Sequence, residues 1–438
     1  MRSGSRADRN AGQAVVGRYR RRPVSAPVRT TRKRSVLVSA PPAGLLSGIR
    51  VLDLGTMIAG PVAATLLADF GADVIKVEQP QGGDTIRSNG PIVEGQSLWW
   101  NVEGRNKRSI TLDLRLPEGQ ALLRQLAGKA DVLVENFRPG TLDRWGLGYP
   151  ALQALNPRLV MLSVSGYGQT GPNAQRAAYD RIALAFAGFL HITGEAEGPP
   201  LRPGTAVADY LGALMGAFAV MLALYHRDAR GGPGQYIDLA LFEAVFRFSD
   251  VLITAYDKLG VVRHRRGNLH FAAAPGNHFA TQDGRFLVLT VSNDGVFRRL
   301  CDAMEQPDLL SDHRFGSHAL RWQHIDEINE HVARWIASQP VLDVCARLDR
   351  HGLAYSLVYS AADIAGDPHY AARETIATVA TRLLGDLKMP APQPRMSATP
   401  AGPLRAAPDL GQDTDAILHE LLELPGGEID RLRKAGVI

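Results

Sequence analysis

Short apolar runs alternate with helical segments through the first part of the chain. The runs cover residues 49–54, 72–78, 109–114, 131–137 and 159–165. Strands that are joined through helices pair in parallel, so this alternation predicts a mainly parallel, doubly wound α/β sheet. The strands are nearly continuous apolar runs, as expected when helices cover both faces of a sheet. We therefore expect a Rossmann-like large domain with ligands bound beyond the carboxyl ends of its strands.

The pattern changes in the second half of the chain. Asp283 and Gly284 separate two strand-like runs and predict a hairpin, and residues 325–337 and 341–350 have the period of amphipathic helices. Residues 385–412 are rich in Pro and Gly and predict a linker before two short terminal helices. We expect a disordered basic N-terminal extension (1–43), the first part of the large domain (44–245), a linker (246–264), an inserted smaller α+β domain (265–369), and a linker with a return to the large domain (370–438).

The net charge of +5 is unevenly distributed along the chain. Residues 1–34 hold ten Arg and one Lys against Asp8, so the remaining chain is mildly acidic and we expect no nucleic-acid partner. This terminus lacks the apolar core of a secretory signal; it is either disordered or a mitochondrial transit peptide. Cys301 and Cys345 have no metal or disulfide spacing, which indicates a reducing, cytoplasmic location, or the mitochondrial matrix if the terminus is a transit peptide.

Residues 202–225 read RPGTAVADYLGALMGAFAVMLALY and contain one carboxylate, Asp209. Residues 211–225 carry no charge and alternate small with large side chains, which predicts a buried helix that other backbone approaches closely. The run is too short to span a bilayer, and we expect no membrane partner. An Asp before an apolar helix is most often an N-cap; the alternative is a reactive carboxylate in dry surroundings.

The segment SGYGQTGP places Gly166, Gly168 and Gly171 in the spacing G-x-G-x-x-G. A nicotinamide site is disfavoured, because the motif follows the fifth strand rather than the first and no acid follows a second strand at the required distance. The glycines favour a turn through which backbone approaches a ligand closely.

No Ser elbow, Cys–His pair, metal motif or Walker loop occurs, and we expect no metal. Arg105, Lys107 and Arg108 form a basic loop that is either solvated or binds phosphate. The leading chemical candidates are then two carboxylates, Asp180 and Asp209. A carboxylate is ionised at neutral pH without an activating base and can act as a nucleophile in acyl transfer.

The sequence resembles the family III CoA-transferases (the CaiB/BaiF family), which includes formyl-CoA and carnitine CoA-transferases. The resemblance runs from residue 45 to residue 438 and rests on motifs in one order: GIRVLDLGTMIAGP, LLADFGADVIKVEQP with GDTIR, RNKRSITLDL, ADVLVENFRPGTLDRWGLGY, NPRLVMLSVSGYGQTGP, AYD, GPPLRPGTAVADYLG, GPGQYIDLALFEA and DLGQDTDAIL.

The resemblance implies a CoA-transferase in which Asp209 is the nucleophile. Asp209 would attack the donor thioester to give an aspartyl-acyl anhydride and then an aspartyl-CoA thioester, from which the acceptor acid takes CoA. It also implies an interlocked homodimer. No cofactor would be bound permanently, because coenzyme A enters as part of the substrate and leaves with the product.

The resemblance also implies a CoA site with Asp180 beside the reacting group. Arg115 stands where relatives have a lysine, and Gln79 stands where many have an arginine near the adenine. The residues carried over for CoA binding are Met57, Ile58, Ala59, Gln79, Arg108, Leu112, Asp113, Leu114, Arg115, Asn136, Phe137, Arg138, Arg144, Ala177 and Tyr179.

Alternative functions are an acyl-CoA racemase of the same family, a nicotinamide-dependent oxidoreductase and a nucleic-acid binder that uses the basic terminus. The racemase needs a histidine base where this chain has Tyr179, a poor base at neutral pH. The segment HITGEAEGPPLRPG most resembles members that act on short dicarboxylic acids with a succinyl-CoA type donor. Arg87 or Arg202 would then hold the distal carboxylate.

Overall fold

The computed structural model describes residues 44–270 and 272–438 of the 438-residue chain. The predicted disordered extension at residues 1–43 lies outside the described residues. The strands are β1 (Arg50–Asp53), β2 (Asp73–Glu78), β3 (Ile92–Val93), β4 (Gln96–Ser97), β5 (Arg108–Thr111), β6 (Val132–Glu135), β7 (Val160–Ser165), β8 (Tyr236–Ala240), β9 (Gly276–Ala280), β10 (Phe286–Thr290), β11 (Tyr355–Leu357), β12 (Ile376–Thr381) and β13 (Gly385–Pro390).

Helices occupy most of the chain between these strands. They are α1 (Ala59–Asp69), α2 (Leu98–Glu103), α3 (Pro117–Ala127), α4 (Thr141–Arg144), α5 (Tyr149–Leu155), α6 (Asp180–Phe186), α7 (Val207–Ala229), α8 (Leu241–Phe246), α9 (Leu252–Leu259), α10 (Asp294–Met304), α11 (His318–Gln323), α12 (Ile325–Ala337), α13 (Val341–Arg350), α14 (Ala361–Gly366), α15 (Pro368–Ala372), α16 (Thr414–Leu422) and α17 (Gly426–Lys434), with short 3-10 helices at Thr85–Ser88, Leu190–Ile192 and Pro307–Leu310.

The central sheet has six strands in the order β5-β2-β1-β6-β7-β8, and every neighbouring pair is parallel. The predicted doubly wound α/β fold is confirmed, and the five predicted strands correspond to β1, β2, β5, β6 and β7. Strand β8 was not predicted from the sequence. The strand order reverses between β1 and β6, which is where sheets of this topology bind ligands.

Hydrophobic clusters cover the two faces of this sheet. Val160 and Leu162 of β7 pack with α1 and α7, whereas Met161 packs on the other face with α3 and the C-terminal helices α16 and α17. Ile417 and Leu418 of α16 are fully buried in this second cluster. The C-terminal segment therefore returns to the central sheet.

A second sheet, β11-β10-β9, is antiparallel and has its own hydrophobic cluster with α10, α12 and α13. The predicted hairpin at Asp283 and Gly284 joins β9 to β10, and α12 and α13 have the predicted bounds. The predicted linkers contain regular structure, because strand β13 lies within residues 385–412 and α9 within residues 246–264. The domain boundaries themselves stay a prediction.

Helix α7 is longer than the charge-free run from which it was predicted. Its 23 residues are long and apolar enough to cross a membrane, so the prediction of a helix too short for a bilayer is wrong. Core helices of soluble proteins can also be this long and this apolar. Here Ala208, Ala213 and Val220 are buried against α1 and the central sheet.

Two buried lysines lie beneath the carboxyl ends of β1 and β2. Lys107 Nζ lies 2.9 Å from Asp53 Oδ2 and donates to the Pro61 carbonyl at 2.7 Å. Lys76 Nζ lies 3.1 Å from Asp84 Oδ2 and 3.8 Å from Asp53 Oδ1. Because the lysines are no more than 1% exposed, phosphate binding by Lys107 is contradicted.

Replacement of Asp53 by alanine should strongly destabilise the fold, because it leaves Lys107 buried without its carboxylate partner. We expect a loss of about 3–5 kcal/mol in the free energy of unfolding, measured by urea denaturation. The exposed Asp386→Ala is the control and should change the free energy by less than about 0.5 kcal/mol. Equal effects of the two substitutions would contradict a structural role for the buried pair.

Candidate functional site

Two adjoining cavities lie at the carboxyl ends of the central strands. The first, here called the Asp209 cavity, has a volume of about 290 Å³ and is lined by the loops after β1, β6 and β7 and by the first turn of α7. The second, the Gln79 cavity, has a volume of about 300 Å³ and is lined by the loops after β1, β2 and β5. Thr56 and Phe137 line both, so the cavities adjoin where the strand order reverses.

Most of the predicted site residues line one of the two cavities. Those that line the Asp209 cavity are Met57, Ile58, Ala59, Asn136, Phe137, Arg138, Ala177, Tyr179 and Asp209. Those that line the Gln79 cavity are Gln79, Leu112, Asp113, Leu114, Arg115 and Phe137. An elongated ligand with one end in each cavity would touch both sets.

The structure places Arg108 far from both cavities. It is the first residue of β5, so it lies at the amino edge of the sheet, and it pairs with Asp73 at 2.7 Å and with Glu420 at 2.8 Å. Arg105 of the same loop is buried and pairs with Asp69 at 2.6 Å. The prediction that Arg108 contacts the nucleotide is therefore contradicted, because its guanidinium is bound to carboxylates at the wrong edge of the sheet.

Three further predicted residues have other partners. Arg144 is exposed at the end of α4, lines neither cavity, and donates to Thr141 Oγ1 at 3.0 Å. Arg115 lies beside the Gln79 cavity, where its hydrogen bonds to Asp113 lower the pKa of that carboxyl. The Gln79 amide lies 3.5 Å from the Gly83 carbonyl.

Asp209 is the third residue of α7 and is not its N-cap. The N-cap position is Ala206, which has no capping side chain, and the Asp180 carboxylate instead accepts from the Ala208 N–H at 2.7 Å. Asp180 therefore caps α7 from the start of α6, and this leaves the Asp209 carboxylate free. Within residues 44–270 and 272–438, no group donates a hydrogen bond to it.

The surroundings of Asp209 disfavour its charged form. Desolvation, and secondarily the Asp180 carboxylate, raise the pKa of Asp209 to about 7. The first turn of a helix favours an anion and opposes this shift by about 0.3–1 kcal/mol. Asp209 is therefore less readily ionised at neutral pH than the ordinary carboxylate expected from the sequence.

Two polar side chains, Asn136 and Asp84, fix the loop that follows β1. The Asn136 amide accepts from the Thr56 N–H at 2.7 Å and donates to the Thr56 carbonyl at 2.8 Å, so it joins the loops after β1 and β6. Asp84 accepts from the N–H of Met57, whose backbone is in the left-handed region with φ 65°. Asn136 thus positions a wall of the Asp209 cavity.

Gly166 permits the closest approach in this site. A Cβ atom at this position would lie 2.2 Å from the Ala178 Cβ, so only glycine lets the loop after β7 pack against residues 176–180. Gly166, the first glycine of the motif, therefore lines the Asp209 cavity, whereas Gly168 and Gly171 do not. Close approach of this turn to a ligand stays a prediction.

Two residues of this site, Asp84 and Arg176, were not identified from the sequence. Asp84 lies in the quoted segment GDTIR and connects buried Lys76 to the Met57 loop, and an acid directly after two glycines beyond a strand was the available signal. Arg176 lines the Asp209 cavity and precedes Asp180 by four residues. In the described part of the chain, no three His, Cys, Asp or Glu side chains are grouped as metal ligands.

Comparisons with known proteins give a consistent result. Residues 46–414 match the model of CoA-transferase family III. The chain is 44% identical to the succinyl-CoA–L-malate CoA-transferase beta subunit of Chloroflexus aurantiacus over 398 residues, which cover 90% of this chain and 98% of that relative. It is 42% identical to the succinyl-CoA–D-citramalate CoA-transferase of the same organism, with 90% and 98% covered. The crystal structure of a CAIB/BAIF family protein from Brucella suis superposes with a TM-score of 0.78 at 34% identity and covers 86% of this chain and 100% of that one.

Replacement of Asp209 by asparagine should stabilise the protein at high pH. A carboxyl with a folded pKa of about 7 and an ordinary value of 3.8 destabilises the fold progressively between those pH values and fully above them. We expect Asp209→Asn to raise the free energy of unfolding by about 2–4 kcal/mol at pH 8.5 and by almost nothing at pH 4, measured by urea denaturation.

Asp228→Asn is the control of opposite sign, because Arg227 lowers the pKa of Asp228 and its loss should destabilise the fold at pH 8.5. An unchanged stability of Asp209→Asn at pH 8.5 would show that Asp209 is not desolvated.

Proposed function

The chain belongs to the family III CoA-transferases, and we propose that it transfers CoA from an acyl-CoA thioester to a carboxylic acid through covalent intermediates on Asp209. The observation that carries this mechanism is the position of the Asp209 carboxylate. It lines a cavity at the ligand-binding edge of the sheet, is desolvated, and lacks a hydrogen-bond donor among the described residues. A carboxylate that served only to cap or pair would have such a partner.

The proposed steps balance without a net proton transfer. The Asp209 carboxylate attacks the thioester carbonyl, a C–O bond forms, and the C–S bond breaks to release CoA thiolate and leave an anhydride. The thiolate then attacks the aspartyl carbonyl, which gives an aspartyl-CoA thioester and frees the donor acid. The acceptor carboxylate attacks this thioester and displaces the thiolate, which finally attacks the acceptor carbonyl and restores Asp209. No general base is required, because every nucleophile is already an anion.

The apolar surroundings of Asp209 suit this chemistry. An anhydride survives only where water is excluded, and desolvation makes a carboxylate more reactive towards a carbonyl carbon. Ionisation near pH 7 keeps a substantial fraction of Asp209 competent to attack. The adjoining Gln79 cavity would hold the nucleotide end of CoA, while the thioester end reaches Asp209 past Thr56 and Phe137.

We further propose that the substrates are short dicarboxylic acids with a succinyl-CoA type donor. The two relatives described above are named for transfer from succinyl-CoA to L-malate and to D-citramalate. The Asp209 cavity, at about 290 Å³, is of a size that suits an acyl chain of a few carbons. CoA is then a substrate and product, and the absence of a permanently bound cofactor stays a prediction, as does the cytoplasmic location.

An interlocked homodimer is also proposed, on the basis of an exposed apolar stripe on α7. This stripe, the α7 outer face, consists of side chains at one helical spacing that are 36–58% exposed: Leu214, Phe218, Met221, Leu222 and Tyr225. An apolar stripe of this extent favours burial by a partner. A second copy of the chain is the proposed partner. The α7 outer face lies on the same helix as Asp209, and the relative from Chloroflexus is named as a subunit.

The covalent mechanism predicts that the activated Asp209 carboxyl can be trapped as a hydroxamate, with release of the donor acid or of CoA. Incubation with succinyl-CoA and hydroxylamine should modify Asp209, as mapped by peptide mass spectrometry, and Asp209→Asn should lower kcat by about 1,000-fold or more because the nucleophile is lost. The exposed Asp386→Asn should retain full activity. Modification of another residue, or full activity of Asp209→Asn in a folded protein, would contradict the mechanism.

If the protein is a dimer, its molar mass in solution, measured by sedimentation, should be that of two chains. Phe218→Glu places a charge on the α7 outer face and should lower the fraction of dimer, because a buried unpaired carboxylate is costly. Leu342→Glu is the matched control, since Leu342 is 68% exposed on α13, outside that face. A wild-type chain that sediments as a monomer at micromolar concentration would contradict this proposal.

A further inference from the structure

The Asp209 cavity contains two arginines without carboxylate partners. Its charged lining residues are Arg138, Arg176 and Asp209, and within the described chain neither guanidinium lies within 4.0 Å of a carboxylate. In contrast, Arg87, Arg105, Arg108 and Arg115 all pair with acids. Unpaired guanidinium groups beside a cavity are a site for an anionic ligand.

Arg87, which was expected to hold a distal carboxylate, is not available. Its guanidinium donates to both Glu78 oxygens at 2.7 Å and to the Pro408 carbonyl, and it stacks on Trp100 at 3.7 Å. Arg202, the other expected residue, does not line the Asp209 cavity, whereas the equally exposed Arg176 does. A carboxylate bound in this cavity therefore needs a different cation.

Arg176 has free donors beside the reacting group. Its Nη1 donates to Asn173 Oδ1 at 3.2 Å and its guanidinium lies 5.5 Å from the Tyr167 ring, while Nε and Nη2 have no acceptor in the described chain. Two N–H groups on one side of a guanidinium match the two oxygens of a carboxylate. Arg176 can therefore bind a carboxylate without first breaking an ion pair.

The segment that carries Arg176 is fixed next to Asp209 at two points. Asp180 caps the first turn of α7 through the Ala208 N–H, and Gly166 lets Ala178 pack tightly against the loop after β7. Residues 176–179 therefore form a wall of the Asp209 cavity. Ser165 also lines this cavity, and its buried hydroxyl has no hydrogen-bond partner in the described chain.

We propose that Arg176 binds the distal carboxylate of a dicarboxylic acyl group while the other end reacts at Asp209. This inference rests on the proposed function. A dicarboxylate would otherwise bring a second negative charge close to Asp209, and the Arg176 guanidinium compensates it. We assign Arg138 to CoA. It directly follows Phe137, which lines the Gln79 cavity, and it also lines a third cavity beside the Asp209 cavity. Arg176 thereby selects dicarboxylic over monocarboxylic acids.

The test compares isotopically labelled succinate with labelled butyrate, which differ only in the distal carboxylate, as acceptors for the full-length enzyme. Unlabelled succinyl-CoA is the donor, and the rate is followed as label that enters the acyl-CoA product. Arg176→Met should lower kcat/KM for succinate by about 10- to 100-fold relative to butyrate, as expected for loss of a charge-assisted hydrogen-bonded pair. Arg176→Lys should restore part of the preference for succinate. Arg299→Met, at an exposed arginine on α10 without contacts, should leave both substrates unchanged.

A measurement on the wild-type enzyme gives a second readout that does not depend on the folding of a variant. Phenylglyoxal modifies arginines, and succinate but not butyrate should protect Arg176, as followed by peptide mass spectrometry. Equal protection by both acids, or an unchanged succinate preference in folded Arg176→Met, would overturn this inference. If wild-type enzyme transfers CoA to neither acid nor to any other carboxylic acid, the proposed function itself fails.

Discussion

The close packing of α7 on the central sheet is the constraint on which the site depends. A Cβ at Gly216 would lie 2.8 Å from Leu162 of β7, and a Cβ at Gly212 would lie 2.5 Å from Leu241 after β8. The absence of side chains at these two positions brings the helix down onto the sheet. Its first turn then lies at the carboxyl edge, where the loops of a parallel sheet converge. Asp209 is consequently held half-buried in the wall of the cavity.

The two carboxylates at the start of α7, Asp180 and Asp209, have different roles in the structure. Asp180 accepts from the backbone N–H of Ala208, so Asp209 is not needed as the cap of α7, and in the described chain its oxygens accept no hydrogen bond. Asp180 also lies close enough to Asp209 to affect its ionisation. Desolvation raises the pKa of Asp209, and the negative charge of Asp180 raises it further. A desolvated carboxylate lowers the stability of the fold at a pH where it is ionised, and natural proteins tolerate such a loss mainly where function requires the group.

Buried polar contacts hold the opposite wall of the cavity. Lys76 fixes Asp84, Asp84 accepts from the N–H of Met57, and Asn136 clamps the peptide of Thr56 from the neighbouring loop. These contacts set loop positions that propensity alone would leave undetermined. Arginines bound in such networks are unavailable to a ligand, whereas Arg176 and Arg138 line the cavity and have no acidic partner within residues 44–270 and 272–438.

The sequence by itself determined the parallel sheet, most of its strands, the helix of small residues and the family of the chain, because these follow from periodicity and from motifs that are contiguous in the chain. It also identified the cavity-lining segments, since loops after successive parallel strands must converge. Strand β8 and the β12–β13 hairpin escaped prediction, because Tyr236–Ala240 is only partly apolar and the hairpin lies in a stretch adjoining many prolines and glycines.

Only the tertiary structure decided which charged residues are free. The sequence does not distinguish Arg87, Lys107, Arg108 and Arg176 by their partners. In the described chain the first three pair with carboxylates, and the fourth does not. The same holds for Asp180 and Asp209, whose roles as cap and free carboxylate depend on the packing of α6 against α7. Side-chain pairing is set by distances in three dimensions, and these arise only when the sheet and helices have assembled.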